Sequence, residues 1–203
     1  MKLAIIGAAG NVGRRLVAEA LSRGHDVTAI GPTLSKLEAL EDVTAKKGDV
    51  TEPDSLAGAL AGHDAVISAV PSTRYEPRQL LEAVRKSGVG RLAVVGGSGS
   101  LTAPQGGLVM DRPNFPGTVR RAAMAGLEIL DALREVTDLD WTYLSPSTHF
   151  SAGKRTGEFR LGKEELLVDA NGQSHISFED YAVALLDEIE GPRHTQERFT
   201  VGY

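Results

Sequence analysis

The chain has 203 residues, with 22 Lys+Arg against 27 Asp+Glu and a formal net charge of −5, a size that suits one domain with a buried core. Aromatic residues make up 5% and no Lys/Arg run exceeds two, so neither a phosphate-tracking face nor a base-stacking platform is expected, and nucleic acid is set aside as a partner. The absence of cysteine removes disulfides, thiolate nucleophiles, Fe–S clusters and Cys-based zinc sites together, and fits a cytoplasmic protein.

The first apolar run, Leu3–Ile6, follows Met1 and Lys2 as a leader segment would. Gly7 breaks it and Asn11, Arg14 and Arg15 follow, so it reads as an opening strand. A glycine-rich turn leads into a helix over Val12–Arg23, with Val12, Leu16 and Ala20 on one stripe. Val27–Ile30 and Thr44–Ala45 read as the second and third strands. Thr51-Glu52-Pro53-Asp54 has the pattern of a capping box for a helix reaching Ala61, and Ala65–Ala69 is the fourth strand. A helix over Pro77–Lys86 precedes the strand Leu92–Val95, and a helix over Thr118–Val136 precedes Trp141–Leu144. Ser177-Phe178-Glu179-Asp180 is a second capping box, opening a helix to about Ile189, and Phe199–Val201 closes the series. Gly24, Gly62 and Gly88 stand where left-handed residues end helices. No run of about eighteen apolar residues occurs, so no membrane-spanning helix is expected.

Several of these strands are apolar continuously, as strands covered on both faces are. Strand followed by helix, repeated, implies parallel neighbours joined by right-handed crossovers. The expected fold is therefore α/β, a doubly wound, mostly parallel sheet in a single domain spanning residues 1–203. Two stretches break the rhythm: Gly96–Gly117, and Ser145–Ser177 with the polar-interrupted runs Glu158–Leu161 and Leu166–Val168, read as a solvated hairpin. Both follow strands at the carboxyl edge, where open α/β sheets bind ligands, so they are expected to wall a site, with 145–177 forming a small substrate-side lobe.

The turn after the first strand reads Gly7-Ala8-Ala9-Gly10-Asn11-Val12-Gly13, a G-x-x-G-x-x-G pattern. Such a pattern suits a dinucleotide loop. Gly7 permits a tight exit from the strand, Gly10 lets the backbone of Ala9, Gly10, Asn11 and Val12 approach a diphosphate, and Gly13 lets helix and strand pack closely. The alternative is a tight strand–helix turn without a ligand. A Walker A loop is excluded, because no Gly-Lys-Ser/Thr follows. An NAD site would carry Asp or Glu at the end of the second strand. Here Ile30-Gly31-Pro32-Thr33 occupies that position and the first acid is Glu38. With no carboxylate to repel a 2′-phosphate, and with Thr33, Ser35, Lys36 and Arg14 nearby, NADP(H) is preferred over NAD(H).

Taken in order, Gly7–Gly13, Gly48-Asp49-Val50, Asp64–Ala69, Val94–Leu101 and Leu139–Pro146 resemble the atypical short-chain dehydrogenase/reductases. More narrowly, they are similar to the NmrA-like NAD(P)H-binding proteins described as NADH-flavin reductases, neighbours of the flavin and biliverdin reductases. Ile176–Ala182 and Arg198–Tyr203 share the likeness, which thus runs the length of the chain. The resemblance implies an NAD(P)-binding Rossmann fold. It also implies that Asp49 and Val50 flank an adenine, that Ala69, Val70 and Pro71 pass the nicotinamide ribose, that Gly96, Gly97 and Ser98 lie beside the nicotinamide, and that Ser145 and Pro146 line its far side. Plain structural roles are the alternatives: a cap for Asp49, core for Ala69 and Val70, a strand end for Pro71. NADP-dependent members of the group often carry Arg where this chain has Pro32.

The larger dehydrogenase superfamily often uses Tyr-x-x-x-Lys as its proton donor. Here Tyr75, Tyr143 and Tyr181 are followed four residues later by Gln79, Ser147 and Leu185, so alcohol dehydrogenation and sugar epimerisation are disfavoured. Reduction of a flavin (FMN, FAD or riboflavin as substrate), a quinone or a tetrapyrrole asks less of the protein, because the acceptor's own ring delocalises the electrons. Ser98 is the catalytic candidate, to orient the nicotinamide or bond the acceptor; Ser100 is a weaker one. His149 and Phe150, with Ser147, are candidates for the pocket of a small-molecule acceptor. Gly96–Ser100 nearly spells a hydrolase elbow, but no helix follows it. The five histidines show no metal-ligand spacing. A reading of a different class is a redox sensor of the NmrA type, which binds a dinucleotide without turnover. The oligomeric state is not legible.

Overall fold

The computed structural model describes residues 1–203. In chain order its elements are β1 (Lys2–Ile6), α1 (Asn11–Ser22), β2 (Asp26–Gly31), α2 (Leu34–Glu38), β3 (Thr44–Lys47), α3 (Pro53–Leu60), β4 (Ala65–Ser68), α4 (Pro77–Ser87) and β5 (Arg91–Val95). There follow α5 (Gly117–Arg134), β6 (Asp140–Ser145), β7 (His149–Ser151), β8 (Arg160–Gly162), β9 (His175–Ser177), α6 (Phe178–Glu190) and β10 (Glu197–Gly202). All seven strands expected from the sequence are present. With β8 they form one eight-stranded sheet in the order β3-β2-β1-β4-β5-β6-β10-β8, parallel except for β8 at its edge. The chain thus has a Rossmann-like α/β fold, with the strand order reversing beside β1.

Alternation along β1 shows why both faces are apolar. Leu3 and Ile5 join the core beneath α1 and α6, where Leu16, Tyr181 and Leu185 pack; Ala4 and Ile6 join the opposite core with Leu56, Leu81, Ile129 and Trp141 from α3, α4, α5 and β6. Gly24, Gly62 and Gly88 are left-handed at φ +77°, +80° and +76°, as expected for helix ends.

Several local expectations are corrected. Thr51–Asp54 forms no capping box: the N-cap of α3 is Glu52, without a side-chain bond, and Thr51 instead donates to Asp49. The reciprocal box lies at Glu76 and Gln79, opening α4. At α6 only half the expected box forms. The Ser177 hydroxyl accepts from the Asp180 amide at 2.9 Å, while the Asp180 carboxylate turns to other donors. The hairpin expected within 158–168 is not a hairpin: β8 pairs antiparallel with β10. Glu164, still about half exposed, is not a free charge, since it pairs with both Arg134 and the buried Arg198. Within the lobe, β7 and β9 make a separate two-stranded parallel sheet. No helix is long and apolar enough to cross a membrane.

Candidate functional site

A cavity of about 1260 Å³ opens along the carboxyl ends of β1 to β5. At its centre is the turn from β1 into α1, made by backbone alone. Gly7 is left-handed at φ +80°, and a Cβ there would lie 2.8 Å from the Ala69 carbonyl oxygen. At Gly13 a Cβ would lie 2.2 Å from the Gly7 oxygen, so helix and strand touch only because both residues lack side chains. Gly10 is the N-cap of α1, with no side chain to cap the helix and no acid in the first turn. The first-turn amides of α1 therefore face the cavity with a partial positive charge and no internal partner. Gly7, Ala9, Gly10, Asn11 and Val12 line the space, while Gly13 lies beneath them.

Towards the β3 edge the lining includes Thr33, Lys36, Asp49 and Val50. Ser35 and Arg14 are not part of it; the Arg14 guanidinium turns back to the Ala9 carbonyl at 3.0 Å. Asp49 Oδ1 accepts from the Thr51 amide at 2.9 Å and its hydroxyl at 2.8 Å. These two bonds, the amide first, hold the carboxyl below its ordinary value. It stays ionised, and Oδ2 remains an acceptor.

Towards β4 and β5 the lining includes Ala69, Val70, Pro71, Gly96, Gly97 and Ser98. The loop after β5 is braced from below by Tyr143, whose hydroxyl accepts from the Gly97 amide and donates to the Gly126 carbonyl, both at 3.1 Å. A Cβ at Gly96 would lie 2.2 Å from the Tyr143 ring, and one at Gly126 3.2 Å from its hydroxyl. Burial pushes the Tyr143 hydroxyl up to about 12, so this buried phenol braces the loop and holds its proton at neutral pH.

Ser145 and Pro146 are buried and do not reach the cavity. Ser100 is also buried, and its hydroxyl accepts from Arg198 at 3.0 Å. Ser147 is tied to the Val201 carbonyl at 3.1 Å. Phe150 packs into the core against Phe178 and Tyr181, with ring centroids 4.6 and 4.7 Å away, which removes it from any acceptor pocket. His149 borders a separate side pocket.

The outer wall comes partly from the 96–117 loop, as its place after β5 implies, and partly from α5 and the segment after β4, which the sequence does not mark as walls. Arg112, Asn114, Phe115 and Pro116 from the loop after β5, Val119, Ala122 and Ala123 from α5, and Arg74 after β4 all line the cavity. Lys36, Arg74 and Arg112 are its cations and Asp49 its one carboxylate. An acidic protein thus carries a cationic cavity, suited to an anionic ligand. Neither Arg74 nor Arg112 lies in a motif; the available signal was the Gly/Pro-rich character of the long loop.

The residues therefore fit a dinucleotide on structural grounds: glycines that no Cβ could replace, open amides at α1, and cations without paired acids. The comparisons with known proteins agree. A model of an NAD(P)H-binding family matches residues 7–192. The chain is 40% identical over 211 residues to the uncharacterized protein YwnB of Bacillus subtilis (strain 168), covering 99% of this chain and 98% of that one. It is similar to a solved structure from Bacteroides thetaiotaomicron named as a candidate epimerase, at 41% identity and TM-score 0.92, covering 100% of this chain and 96% of that one. It is also similar to SP1627 of Streptococcus pneumoniae TIGR4, named as a candidate NADH-flavin reductase, at 35% identity and TM-score 0.85, covering 100% and 99%.

Proposed function

The chain belongs to the NAD(P)H-binding family, and on that premise we propose that it is a reductase passing hydride from NADPH to a flavin or similar planar conjugated acceptor. When bound, the reduced nicotinamide supplies the hydride. The open amides of Asn11 and Val12 hold the diphosphate, and Thr33 and Lys36 take the ribose 2′-phosphate. Asp49 Oδ2 and Val50 meet the adenine, and Ala69, Val70 and Pro71 meet the second ribose. Gly96 and Gly97 leave room for the nicotinamide, and the Ser98 hydroxyl orients its amide or bonds the acceptor.

The observation that carries the choice of acceptor is the state of Tyr143. It is the one tyrosine lining the cavity, yet its hydroxyl is committed to Gly97 and Gly126 and kept protonated by burial. No lysine stands four residues later. A carbonyl or alcohol substrate would need that missing proton donor, which also speaks against epimerisation. A flavin takes its proton from water at a ring nitrogen, and a quinone at its own carbonyl oxygen.

The test mixes purified protein with NADPH or NADH and FMN, riboflavin or a quinone, following reduced-nicotinamide absorbance. Acceptor-dependent oxidation is expected. Background rates with every acceptor, alongside measurable dinucleotide binding, would favour a non-catalytic sensor instead. Lys36→Ala is expected to weaken NADP⁺ binding about 10-fold, equivalent to about 1.4 kcal/mol. An unchanged ratio of NADP⁺ to NAD⁺ affinity would remove the 2′-phosphate assignment.

A further inference from the structure

We propose that the acceptor carries an anionic tail, received by Arg112 where the main cavity opens into a side pocket; this rests on the reductase reading above. The side pocket holds about 280 Å³ and lies between the loop after β5 and the segment after β6. Arg112 and Thr148 border both spaces, so the guanidinium stands at their junction. A volume this small is below the usual range for a whole ring ligand, about 300–1,000 Å³, and suits a short chain. The ring then stays in the main cavity, against Phe115, Val119 and Ala123.

The charge of Arg112 is unspent. Its guanidinium donates one bond, to the Gln105 side-chain oxygen at 2.7 Å, and it belongs to none of the ion pairs that occupy Arg15, Arg23, Arg85, Arg91, Arg155 and Arg198. No carboxylate lines the side pocket. Asp49, the one carboxylate of the main cavity, sits at the β3 edge with Oδ1 held by Thr51. A half-buried guanidinium with free donors and no neighbouring acid in its pocket matches a phosphate or carboxylate in shape and charge.

The position of Arg112 is also fixed relative to the nicotinamide side. The Met110 amide donates to the Gly99 carbonyl and the Val109 amide to the Leu101 carbonyl, both at 2.9 Å. This part of the loop is therefore stitched to the strand-end segment that carries Ser98. Beyond the junction, the Thr148 amide and hydroxyl are both held by Ser174, at 3.2 Å each, so the pocket wall is ordered. His149 sits in that wall, which gives it a place beside the tail.

The test pairs acceptors that share a ring and differ in the tail: FMN against riboflavin for a phosphate, and a linear tetrapyrrole dicarboxylate against its dimethyl ester for carboxylates. With saturating NADPH, kcat/KM for the charged member of at least one pair is expected to exceed that of the neutral member about 10-fold, or about 1.4 kcal/mol. Arg112→Gln should bring the ratio near one, and Arg112→Lys should retain part of it. Titrating the same pairs onto the protein loaded with NADP⁺ reads the preference without turnover. An Arg112-dependent binding preference with only background turnover keeps the tail site and overturns the reductase reading. Turnover without preference in either pair, or a preference that survives Arg112→Gln, overturns the tail site and leaves the reductase reading standing. Failure of every acceptor to bind overturns both.

Discussion

Between β1 and α1 the chain turns on backbone alone, whereas across the lobe from Gly153 to Glu164 it is pinned by carboxylates. Asp180, fully buried, accepts from the Thr156 amide and hydroxyl at 2.8 and 2.6 Å, the Gly157 amide at 2.8 Å and the Tyr203 hydroxyl at 2.6 Å. Glu179 accepts from the Gly153 amide and Arg15, and Glu19 from Arg155 and Arg23. In the lobe these donors are consumed internally, which gives it a fixed shape. At the glycine turn the Gly7 and Gly10 amides are held by the Ile30 and Gly7 carbonyls, while those of Asn11 and Val12 have no partner, which leaves them for a ligand. The two regions therefore fail in different ways when altered.

The largest loss is expected at Gly13. A methyl there meets the Gly7 oxygen at 2.2 Å, backbone against backbone. Gly13→Ala should lower stability by about 3 kcal/mol, the upper end of ordinary overpacking, and calorimetric melting would register it. Next comes Asp180→Asn, which turns an amide NH₂ towards groups that are themselves donors. A loss of about 2 kcal/mol is expected, readable in denaturant titration. Dinucleotide affinity should change far less than stability in this variant, because the clasp lies outside the glycine turn; a parallel loss of both would erase the distinction between the regions.

The clasp also sets an acid limit. Burial alone would raise the Asp180 carboxyl, but the Thr156 and Tyr203 hydroxyls and the Gly157 and Thr156 amides outweigh it and hold the group below its ordinary value. For Glu179, burial is likewise outweighed by the Gly153 amide and Arg15, and for Glu19 the Arg155 bond leads. Carboxyls lowered on folding contribute stability that is complete above their unfolded values, about 3.9 for Asp and 4.3 for Glu, and is lost as pH falls through the lower folded ones. Stability measured against pH should therefore hold near neutrality and decline below about pH 4.5, and Asp180→Asn should make that decline shallower. The smallest effect is expected at Tyr143→Phe. Losing the bonds to Gly97 and Gly126 should cost about 1 kcal/mol and lower the reduction rate by loosening the loop that carries Ser98. A rate unchanged in the folded variant would show that the brace is not felt at the site.

The same contrast explains what the sequence could tell. The seven strands and the glycine turn are local patterns, with apolar runs and glycine spacing visible within about ten residues. The Asp180 clasp joins residues 156, 180 and 203, and nothing in the neighbourhood of any one of them names the others. Phe150 looked available for a pocket because it follows the sixth strand of the series, yet the core places Phe178 and Tyr181 against it. Ser145 and Pro146, which the family resemblance placed on the far side of the nicotinamide, lie buried. Arg74 and Arg112 reach the cavity from irregular segments, where no periodicity announces which way a side chain faces.

The most direct measurement is calorimetric titration of NADP⁺ and NADPH onto the wild type and Gly10→Val. Gly10 has φ −75° and a Cβ there meets only the Gly7 oxygen, at 3.2 Å, so the variant is expected to fold while covering the α1 amides. The account predicts measurable binding to the wild type and a loss of at least about 100-fold in the variant, equivalent to about 2.7 kcal/mol. Wild-type affinity in a folded Gly10→Val protein would contradict it.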